Sequence, residues 1–512
     1  MNDQTSRPIA LVILDGWGIS RTATGNAIAA ARTPFYDEIC ARFPMTALAA
    51  SGEAVGLSIG DTGNAEAGHM CIGTGRAVKT DAVRIAEAIV SGSFEDNSVL
   101  SETFSSAAAG TGSVHLVGVL SDAGIHAVPD AVYALLRMAR RSGVERVFVH
   151  GILDGRDVEP RTADVYIDAL EIKMSEIGVG RIATLCGRFF GMDSSENWER
   201  TVRAFTLMVH AEGERAKDAS SSVRNSFLRG ISDEFVAPIV IDNGHGEPVA
   251  RISDGDTVVF FNHRADTMRQ LARSLAVPEV GSAGAKPRVN AICMTEFDRS
   301  FGLPVVFRRT ASVNVLGEVL NDAQIPSFRI TETDRLPHVT TFFNGGAGVC
   351  GPYEQHLHVP TVPTALREHE PEMASFKIAD RFMRTLDANG AGLYVVNIPA
   401  PDVVAETCRF EKTIESIQFV DTCLGGVLEK VRSAGGAAVI TSSHGNCEAL
   451  LDASGEMERS PTKNPVPVHL VGHPDAVDLR AEGTLADVAP TILGLFGLPK
   501  PAEMAGIDLR RR

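Results

Sequence analysis

Apolar runs that end in polar residues recur along the chain. The first covers Pro8–Leu14 and leads directly into Asp15-Gly16-Trp17-Gly18. A continuous apolar run of this length is typical of a strand that is buried on both faces in a parallel sheet. Open α/β sheets bind their ligands at the carboxyl ends of such strands. The pattern therefore predicts a buried strand that places Asp15 at a ligand site.

Helical and strand patterns then alternate. An alanine-rich stretch at 26–42 predicts a helix, and from about residue 80 the pattern indicates βαβ units. A segment containing Gly and Pro at 297–306 is interpreted as a hinge. Strands are expected before it at 114–120, 146–150 and 257–261.

Three strand-to-loop transitions follow this hinge. They are expected at 333–346, 392–397 and 436–440, and each is expected to deliver a polar side chain at its end: Arg335, Asp402 and His444. A capped helix is expected over 485–491. No internal repeat interrupts this order.

Length and composition limit the classes of function. The 512 residues are too many for one hydrophobic core, so two domains or a large insertion are expected. A formal net charge of −16 argues against a nucleic-acid or anionic-membrane partner, and an anionic substrate would need a local group of arginines. The eight cysteines include no C-x-x-C pair, and no apolar run is long enough for a signal peptide or a membrane span. We expect a cytoplasmic enzyme that acts on a small molecule.

The stretch at 62–70 carries the most specific signal. It reads Thr-Gly-Asn-Ala-Glu-Ala-Gly-His-Met, a glycine-flanked polar turn of the kind that presents a reactive side chain or an anion at the start of a helix. It resembles the nucleophile loop, Gly-Asn-Ser-Glu-Val-Gly-His, of the cofactor-independent (2,3-bisphosphoglycerate-independent) phosphoglycerate mutases in the alkaline phosphatase superfamily. In that family the serine takes and returns the phosphoryl group. Here the position is Ala65, whose methyl group cannot attack phosphorus.

The resemblance extends over nearly the whole chain. It includes LVILDGWG, LSDAGIHA, LDGRDVEP, GRFFGMD, FFNHRAD, PHVTTFFNGG and LADVAPTILGLFGLPKPAEM, in this order. It implies an α/β protein with a discontinuous alkaline-phosphatase-like domain at 1–79 and 310–512. An α/β transferase-like domain that binds the substrate is expected as an insertion at 80–305.

The resemblance also implies a binuclear Mn²⁺ site with seven ligands, and four of them are changed here. The serine is Ala65, an aspartate is Ser443, and two histidines are Glu406 and Pro461. Proline has no side-chain donor atom, so that ligand is lost. A two-metal site is therefore not expected.

The remaining donors allow two interpretations. Asp15, Asp402, Glu406 and His444 are three carboxylates and an imidazole, a set that could hold one Mg²⁺ or Mn²⁺ ion. The alternative is a site without metal, in which the carboxylates are hydrogen-bonded or paired with arginine.

The residues that bind the glycerate part of the substrate in the family are present. They correspond to His126, Arg156, Asp157 and Arg188, although a second family arginine is Ser194. A lone arginine is usually a solvated surface charge, but arginines within these motifs are expected to line a ligand site.

The residues expected at the phosphate are partly kept. Arg264 matches the family, its partner three residues later is Thr267, and the family lysine is Arg335. A guanidinium can bind an oxyanion through two parallel hydrogen bonds, which lysine cannot do.

These changes favour a phospho- or phosphonyl-transferase that holds phosphoglycerate as the acceptor and forms no phosphoserine. Asp15, His444 and Ser443 are its candidate catalytic residues. The donor would be another phosphorus compound, with a nucleotide-activated one as a candidate. Because the family includes members in phosphonate natural-product biosynthesis, the resemblance implies phosphonoformate on a cytidylyl ester as one such donor.

Two other functions remain open. The chain could be a phosphoglycerate mutase with a remodelled site, in which Ser443 or Thr62 replaces the missing nucleophile. It could also be a non-catalytic protein that binds a phosphorylated metabolite.

Overall fold

The structure is a computed structural model. It describes residues 7–110, 112–277, 286–308, 311–363, 366–367, 369–451, 455–458, 460–472 and 478–511. Contacts divide the chain into two compact units. Unit 1 comprises Met1–Thr80 with Thr310–Arg512, and unit 2 comprises Asp81–Arg309. The roles assigned to 1–79 with 310–512 and to 80–305 stay a prediction.

Strands and helices are numbered in chain order. The strands are β1 (Pro8–Leu14), β2 (Met45–Ala49), β3 (Val114–Leu120), β4 (Val147–Leu153), β5 (Arg181–Gly187), β6 (Glu214–Ala216), β7 (Ile239–Ile241), β8 (Thr257–Phe260), β9 (Asn290–Cys293), β10 (Ser327–Glu332), β11 (Glu354–Val359), β12 (Gly392–Ile398), β13 (Ala437–Thr441), β14 (Val466–Val471), β15 (Asp478–Leu479), β16 (Glu482–Thr484) and β17 (Arg510–Arg511). The helices are α1 (Ala27–Ala30), α2 (Pro34–Arg42), α3 (Ala65–Thr74), α4 (Asp81–Ser91), α5 (Ser98–Ala109), α6 (Pro129–Arg141), α7 (Ala163–Ile177), α8 (Arg188–Gly191), α9 (Trp198–His210), α10 (Ala219–Leu228), α11 (Ala265–Ala276), α12 (Leu316–Asp322), α13 (Ser375–Asn389), α14 (Ala400–Ala405), α15 (Phe410–Ser433) and α16 (Val488–Leu495).

Unit 1 is built on an eight-stranded sheet in the order β11-β10-β12-β1-β13-β14-β2-β16. The five strands from β11 to β13 are parallel, and β14 runs antiparallel to both of its neighbours. Successive residues of β1 are buried on opposite faces: Ala10 and Val12 join one apolar cluster, and Leu11 and Ile13 join another. This explains the continuous apolar run of β1, because neither face meets water.

Unit 2 is built on a seven-stranded sheet in the order β6-β7-β5-β4-β3-β8-β9. All neighbouring strands are parallel except β5 and β7. The strands expected at 114–120 and 257–261 correspond to β3 and β8, and the one expected at 146–150 extends to Leu153 as β4. The α/β class, with an α/β unit inserted into a discontinuous one, is therefore confirmed.

Two local predictions in unit 1 were wrong. The helix expected at 26–42 is two helices, because Pro34 lacks an N–H group and begins α2 as a new helix. The strand of the strand-to-loop transition expected at 333–346 lies earlier, as β10. The segment after it is a 3₁₀ turn, Thr333–Arg335, followed by a π-helix, His338–Phe342. All of β10 is buried although four of the six residues of its sequence, SFRITE, are polar, so no continuous apolar run marks it.

The segment expected to be a hinge at 297–306 belongs to unit 2 and is anchored in its core at both ends. Val305 forms a bridge with Cys293 of β9, and Phe297 and Val306 are buried in the apolar core of this unit. Its Gly and Pro therefore mark a turn rather than a linker.

The carboxyl-terminal helix begins later than expected. A 3₁₀ turn at Leu485–Asp487 precedes α16, and the Asp487 carboxylate accepts a hydrogen bond from the backbone N–H of Thr484 at 2.7 Å. Among the residues that the structure describes, no helix is long and apolar enough to cross a membrane.

Candidate functional site

The carboxyl ends of the central strands of unit 1 converge at one edge of its sheet. β1 lies between β12 and β13, and Ile13 is opposite both Asn397 and Thr441. The residue two positions beyond Ile13 is Asp15, which therefore reaches side chains from both neighbouring strands. We call the resulting group the polar centre of unit 1; its members are Asp15, His69, Arg335, Asn397, Asp402, Ser443, His444 and Asn446.

Both carboxylate oxygens of Asp15 accept hydrogen bonds. Oδ1 accepts from the Ser443 hydroxyl at 2.5 Å and faces His69 Nε2 at 3.0 Å, while Oδ2 accepts from the Asn397 amide at 2.8 Å. The side chain of Asp15 is fully buried. Burial alone would raise the pKa of this carboxyl group, but His69 next to it lowers the pKa below its ordinary value overall. Asp15 is therefore an ionised acceptor.

His444 connects Asp15 to Asp402. Its Nδ1 lies 2.9 Å from the hydroxyl oxygen of Ser443, and its Nε2 lies 3.1 Å from Oδ1 of Asp402. Because the Ser443 hydroxyl donates its proton to Asp15, the hydroxyl oxygen accepts from Nδ1–H, and Nε2–H donates to Asp402. Burial opposes the charged ring, but Asp402 raises the pKa of His444 overall. The ring is held as a donor on both sides.

Asp402 has further partners. Its Oδ1 also accepts from the side-chain amide of Asn446 at 2.8 Å, and Nη2 of Arg335 lies 3.6 Å from its Oδ2. Burial would raise the pKa of this carboxyl, and the charges of His444 and Arg335 lower it overall. Asp402 therefore interacts with two cationic groups.

Arg335 has a different environment from the other members. Its nearest carboxylate oxygens are Asp402 Oδ2 at 3.6 Å and Glu406 Oε1 at 4.0 Å, and its side chain is 17% exposed. Glu406 is more peripheral, with a side chain that is 55% exposed. Among the described residues, none accepts a hydrogen bond from the Arg335 guanidinium. Its donors can therefore bind an added oxyanion.

The helix start at Ala65 lies directly against this centre. Asn64 caps α3 by accepting a hydrogen bond from the backbone N–H of Ala67 at 2.8 Å. A Cβ atom on Gly68 would lie 2.1 Å from the carbonyl oxygen of Ser443, so only glycine permits this approach. Ala65 is the first residue of α3 and is 8% exposed. The loop before α3 is therefore capped and packed closely against Ser443, and the side chain at the start of the helix is the methyl group of Ala65.

Unit 2 has its own polar group at the carboxyl ends of β3, β4 and β5. Arg188 follows β5 and donates from Nη1 to Asp154 Oδ1 at 2.6 Å and to Asp157 Oδ2 at 2.5 Å. Asp154 also accepts from the Ser121 hydroxyl at 2.8 Å. Together with His126 and Thr267, these residues form what we call the unit 2 cluster: Ser121, His126, Asp154, Asp157, Arg188 and Thr267.

His126 has polar partners on both sides of its ring. Its Nε2 lies 2.8 Å from Nη2 of Arg188 and 3.1 Å from Oδ2 of Asp157, and its Nδ1 lies 3.1 Å from the Thr267 hydroxyl oxygen. These three contacts fix the orientation of the ring.

Two other predicted arginines lie at the surface of unit 2. Arg264 pairs with Asp266 through Nη2 and Nε at 2.9 and 3.2 Å, and its side chain is about half exposed. The side chain of Arg156 is exposed, whereas its backbone N–H donates to Asp154 at 3.3 Å. The charges of both arginines are accessible to a solute.

Comparisons with known proteins agree with these motifs. A model of the BPG-independent phosphoglycerate mutase N-terminus matches residues 85–299. The 2,3-bisphosphoglycerate-independent phosphoglycerate mutase of Desulforudis audaxviator is 41% identical over 505 residues, which cover 98% of this chain and 99% of the relative. The corresponding enzyme of Moorella thermoacetica is 40% identical over 98% of each chain. A crystal structure of Leishmania mexicana phosphoglycerate mutase at low cobalt concentration matches with a TM-score of 0.80 and 26% identity, covering 100% of this chain and 99% of that one.

The chain belongs to the cofactor-independent phosphoglycerate mutase family. The family assignment predicted from the motifs is thus confirmed, and with it the place in the alkaline phosphatase superfamily. Ser443 stands where the family motif has an aspartate, and its hydroxyl donates a hydrogen bond to Asp15. An aspartate at this position would place a second carboxylate beside Asp15, whereas serine provides a hydrogen-bond donor.

The predicted metal ligands do not fit a divalent ion as they are arranged. Asp15, Asp402 and His444 lie together, but both oxygens of Asp15, Oδ1 of Asp402 and both ring nitrogens of His444 already have hydrogen-bond partners. Oδ2 of Asp402 faces Arg335, and so does Glu406. In the part of the chain that the structure describes, no group of three or more His, Cys, Asp or Glu side chains has the arrangement of a metal site.

Sequence reasoning missed several members of these groups. Asn397, Asn446 and Asp154 each lie near the end of an expected strand or within a motif, but the sequence does not show the contacts that they make. His69 had no assigned role and proves to contact Asp15. For Asn397 the one available signal was a polar residue next to the end of an apolar strand.

Proposed function

We propose that this chain is a transferase that holds phosphoglycerate as the acceptor of a phosphorus-containing group and forms no phosphoserine. The observation that carries the proposal is the methyl group of Ala65 at the start of α3, in a loop whose sequence otherwise keeps Gly63, Asn64, Glu66, Gly68 and His69 of the motif. A covalent phosphoryl-enzyme needs a nucleophilic atom at this position, and a methyl group has none. The reaction must therefore transfer its group directly between two bound substrates.

The acceptor side of the proposal rests on the unit 2 cluster. His126, Asp157 and Arg188 form one connected set of donors and acceptors, as recognition of hydroxyl and carboxylate groups requires. Arg188 holds the other two in place, and the accessible guanidinium groups of Arg156 and Arg264 supply positive charge for an anion. A net charge of −16 makes such local positive charge necessary for binding phosphoglycerate.

The reaction balances without an enzyme-bound intermediate. A hydroxyl oxygen of phosphoglycerate forms a bond to the phosphorus of the donor, and the bond from that phosphorus to its leaving group breaks. The hydroxyl proton passes to a base, and the leaving group departs with the bonding electrons. A nucleotide-activated phosphonate, such as a cytidylyl ester of phosphonoformate, supplies a stable leaving group of this kind. No step is assigned to a metal ion, because the residues present do not fit one.

A second candidate is favoured by the comparisons. Relatives named phosphoglycerate mutase are 39–41% identical over nearly the full length of this chain. Mutase chemistry would need a new nucleophile, and Ser443 is the hydroxyl that contacts both Asp15 and His444. Its side chain is fully buried, so the phosphorus of a substrate could not reach its oxygen without a rearrangement of the centre.

Two assays separate these candidates. Purified protein with Mn²⁺ is incubated with 3-phosphoglycerate, and the formation of 2-phosphoglycerate is followed by ³¹P NMR. The transferase proposal predicts no interconversion, and turnover that Ser443→Ala abolishes would support the mutase instead. Calorimetry then measures the binding of 2- and 3-phosphoglycerate. If neither binds at millimolar concentration, both enzyme candidates give way to a protein with another ligand.

A further inference from the structure

We propose that the polar centre of unit 1 binds a tetrahedral phosphorus oxyanion without a divalent ion, and that the guanidinium of Arg335 supplies the cation. This inference deepens the proposed function and rests on it for the identity of the reaction. It reverses the expectation that one metal ion is held by Asp15, Asp402, Glu406 and His444.

The first argument concerns the free lone pairs of the carboxylates. A carboxylate oxygen binds a metal ion through a lone pair that no hydrogen-bond donor occupies. Asp15 is approached by three donors, from Ser443, His69 and Asn397, at 2.5, 3.0 and 2.8 Å. Oδ1 already faces two of these donors, so an ion bound at Oδ1 would require Ser443 or His69 to lose its partner. Such a loss is costly inside a protein.

The imidazole of His444 is engaged in the same way. Both of its ring nitrogens have partners, Ser443 on one side and Asp402 on the other, at 2.9 and 3.1 Å. The ring therefore lies between Ser443 and Asp402, and neither ring nitrogen is directed at a vacant position.

The second argument concerns charge. Asp15 and Asp402 are two buried carboxylates, and buried charges need compensating partners. In a metal site the ion provides this compensation. Here the permanent charge near Asp402 is Arg335, with Nη2 at 3.6 Å. The centre therefore contains its own cation.

The third argument concerns the donors of Arg335. A guanidinium carries five N–H groups in a plane and can bind two oxygens of one oxyanion. Among the described residues, no side chain or carbonyl accepts a hydrogen bond from Arg335. Its contacts with Asp402 and Glu406, at 3.6 and 4.0 Å, are ion pairs too long for hydrogen bonds. The side chain is mostly buried but not sealed, at 17% exposed. These features fit a phosphate, a phosphate ester or a phosphonate.

The test uses the full-length protein purified in the presence of MnCl₂ and then dialysed. Metal content is measured by mass spectrometry, and thermal unfolding is recorded with and without EDTA. Binding of inorganic phosphate and of phosphonoformate is measured by calorimetry under both conditions. The variants are Arg335→Gln and Arg335→Lys. The matched control is Arg432→Gln, which removes an exposed arginine of the same unit that pairs with Glu429. Circular dichroism checks that each variant is folded.

We expect far less than one manganese per chain, a melting temperature that EDTA does not change, and anion binding that EDTA does not weaken. Arg335→Gln should weaken anion binding about 10- to 100-fold, Arg335→Lys should weaken it less, and Arg432→Gln should leave it unchanged. Retention of one or more manganese ions per chain, with binding lost in EDTA, would overturn the inference. So would a parent protein that binds neither anion, or an Arg335→Gln variant that binds like the parent.

The outcome is distinguishable from that of the proposed function. If phosphate binds without metal but neither phosphoglycerate binds, the acceptor assignment is wrong and the metal-independent site stands. If phosphoglycerate binds only with manganese, the acceptor assignment stands and this inference is wrong.

Discussion

The hydroxyl of Ser443 donates a hydrogen bond to Oδ1 of Asp15 across 2.5 Å. The two residues are 428 positions apart in sequence and meet because β1 and β13 are adjacent parallel strands. In the family motif the first of them is an aspartate, which beside Asp15 needs a cation. With serine at position 443, the contact is stable by itself. At this position the polar centre of unit 1 therefore has a hydrogen bond in place of the second carboxylate of the family motif.

Restoring the aspartate should therefore destabilise the protein when no metal is present. In the Ser443→Asp variant a second carboxylate is buried against Asp15, and an uncompensated buried charge costs about 3–5 kcal/mol of unfolding free energy. Added Mn²⁺ should recover part of this loss, because the variant regains a family ligand. Urea unfolding with and without MnCl₂ measures both effects. Ser433→Asp, at a surface hydroxyl in the same unit, is the control. A Ser443→Asp variant as stable as the parent in EDTA would show that Asp15 is not held as described.

Restoring the nucleophile alone should not restore mutase activity. Ala65→Ser supplies a hydroxyl at the start of α3, but with Ser443 and Pro461 the family metal site still lacks ligands, so no pair of metal ions activates this hydroxyl. A coupled assay of 2- and 3-phosphoglycerate interconversion should give the same background for parent and variant. Clear turnover by Ala65→Ser would mean that the remaining residues suffice for the family chemistry.

Removing Arg264 should weaken phosphoglycerate binding. Its guanidinium is half exposed, so we expect the low end of the range for hydrogen bonds to charged groups, about 1.5 kcal/mol or roughly tenfold in Kd. Calorimetry on Arg264→Ala measures the effect. Arg224→Ala is the matched control, because Arg224 is also about half exposed and paired with aspartates of unit 2. Equal affinities for the two variants would exclude Arg264 from the binding site.

The pH dependence of stability should depend on His469. Burial lowers the pKa of this histidine to about 4 in the folded protein, whereas an unfolded histidine titrates near 6.5. The unfolded state therefore binds more protons between these values. Stability is full above about pH 6.5 and falls as the pH drops towards about 4, by up to about 3 kcal/mol from this residue. In His469→Gln this part of the decline should disappear.

Urea unfolding between pH 7 and pH 4 tests this expectation. The control is His245→Gln, because the ring of His245 is exposed to water and its replacement should leave the decline unchanged. If His469→Gln loses stability with pH as steeply as the parent, the burial of His469 does not determine the acid sensitivity.

The sequence predicts the strands of this fold better than the contacts of its site. β1 and Asp15 follow from an apolar run and a polar end, since both faces of the strand are buried. β10 has no such run, because buried Arg329 lies within it and pairs with buried Glu354 of β11 at 2.9 Å. A search for continuous apolar runs cannot detect a strand whose interior holds such an ion pair.

The site depended on relationships between distant residues. The motifs identified Asp15, Asp402 and His444, yet Asn397 is 382 residues from Asp15 and donates to it. The motifs also could not show that Arg188 is occupied by two aspartates within unit 2, so that it positions His126 rather than presenting a free guanidinium. A single sequence shows which motif residues are replaced. The hydrogen bonds that these side chains make with residues distant in sequence are visible only in the folded structure.

The central claim is that phosphoglycerate is an acceptor here and that no phosphoserine forms. The most direct measurement is a ³¹P NMR time course of purified protein with 2-phosphoglycerate and a cytidylyl ester of phosphonoformate. The account predicts that both substrates are consumed together and that cytidine monophosphate is released. A new phosphorus resonance from the joined product should appear, and no 3-phosphoglycerate should form. Conversion of 2- to 3-phosphoglycerate with the donor untouched would contradict it.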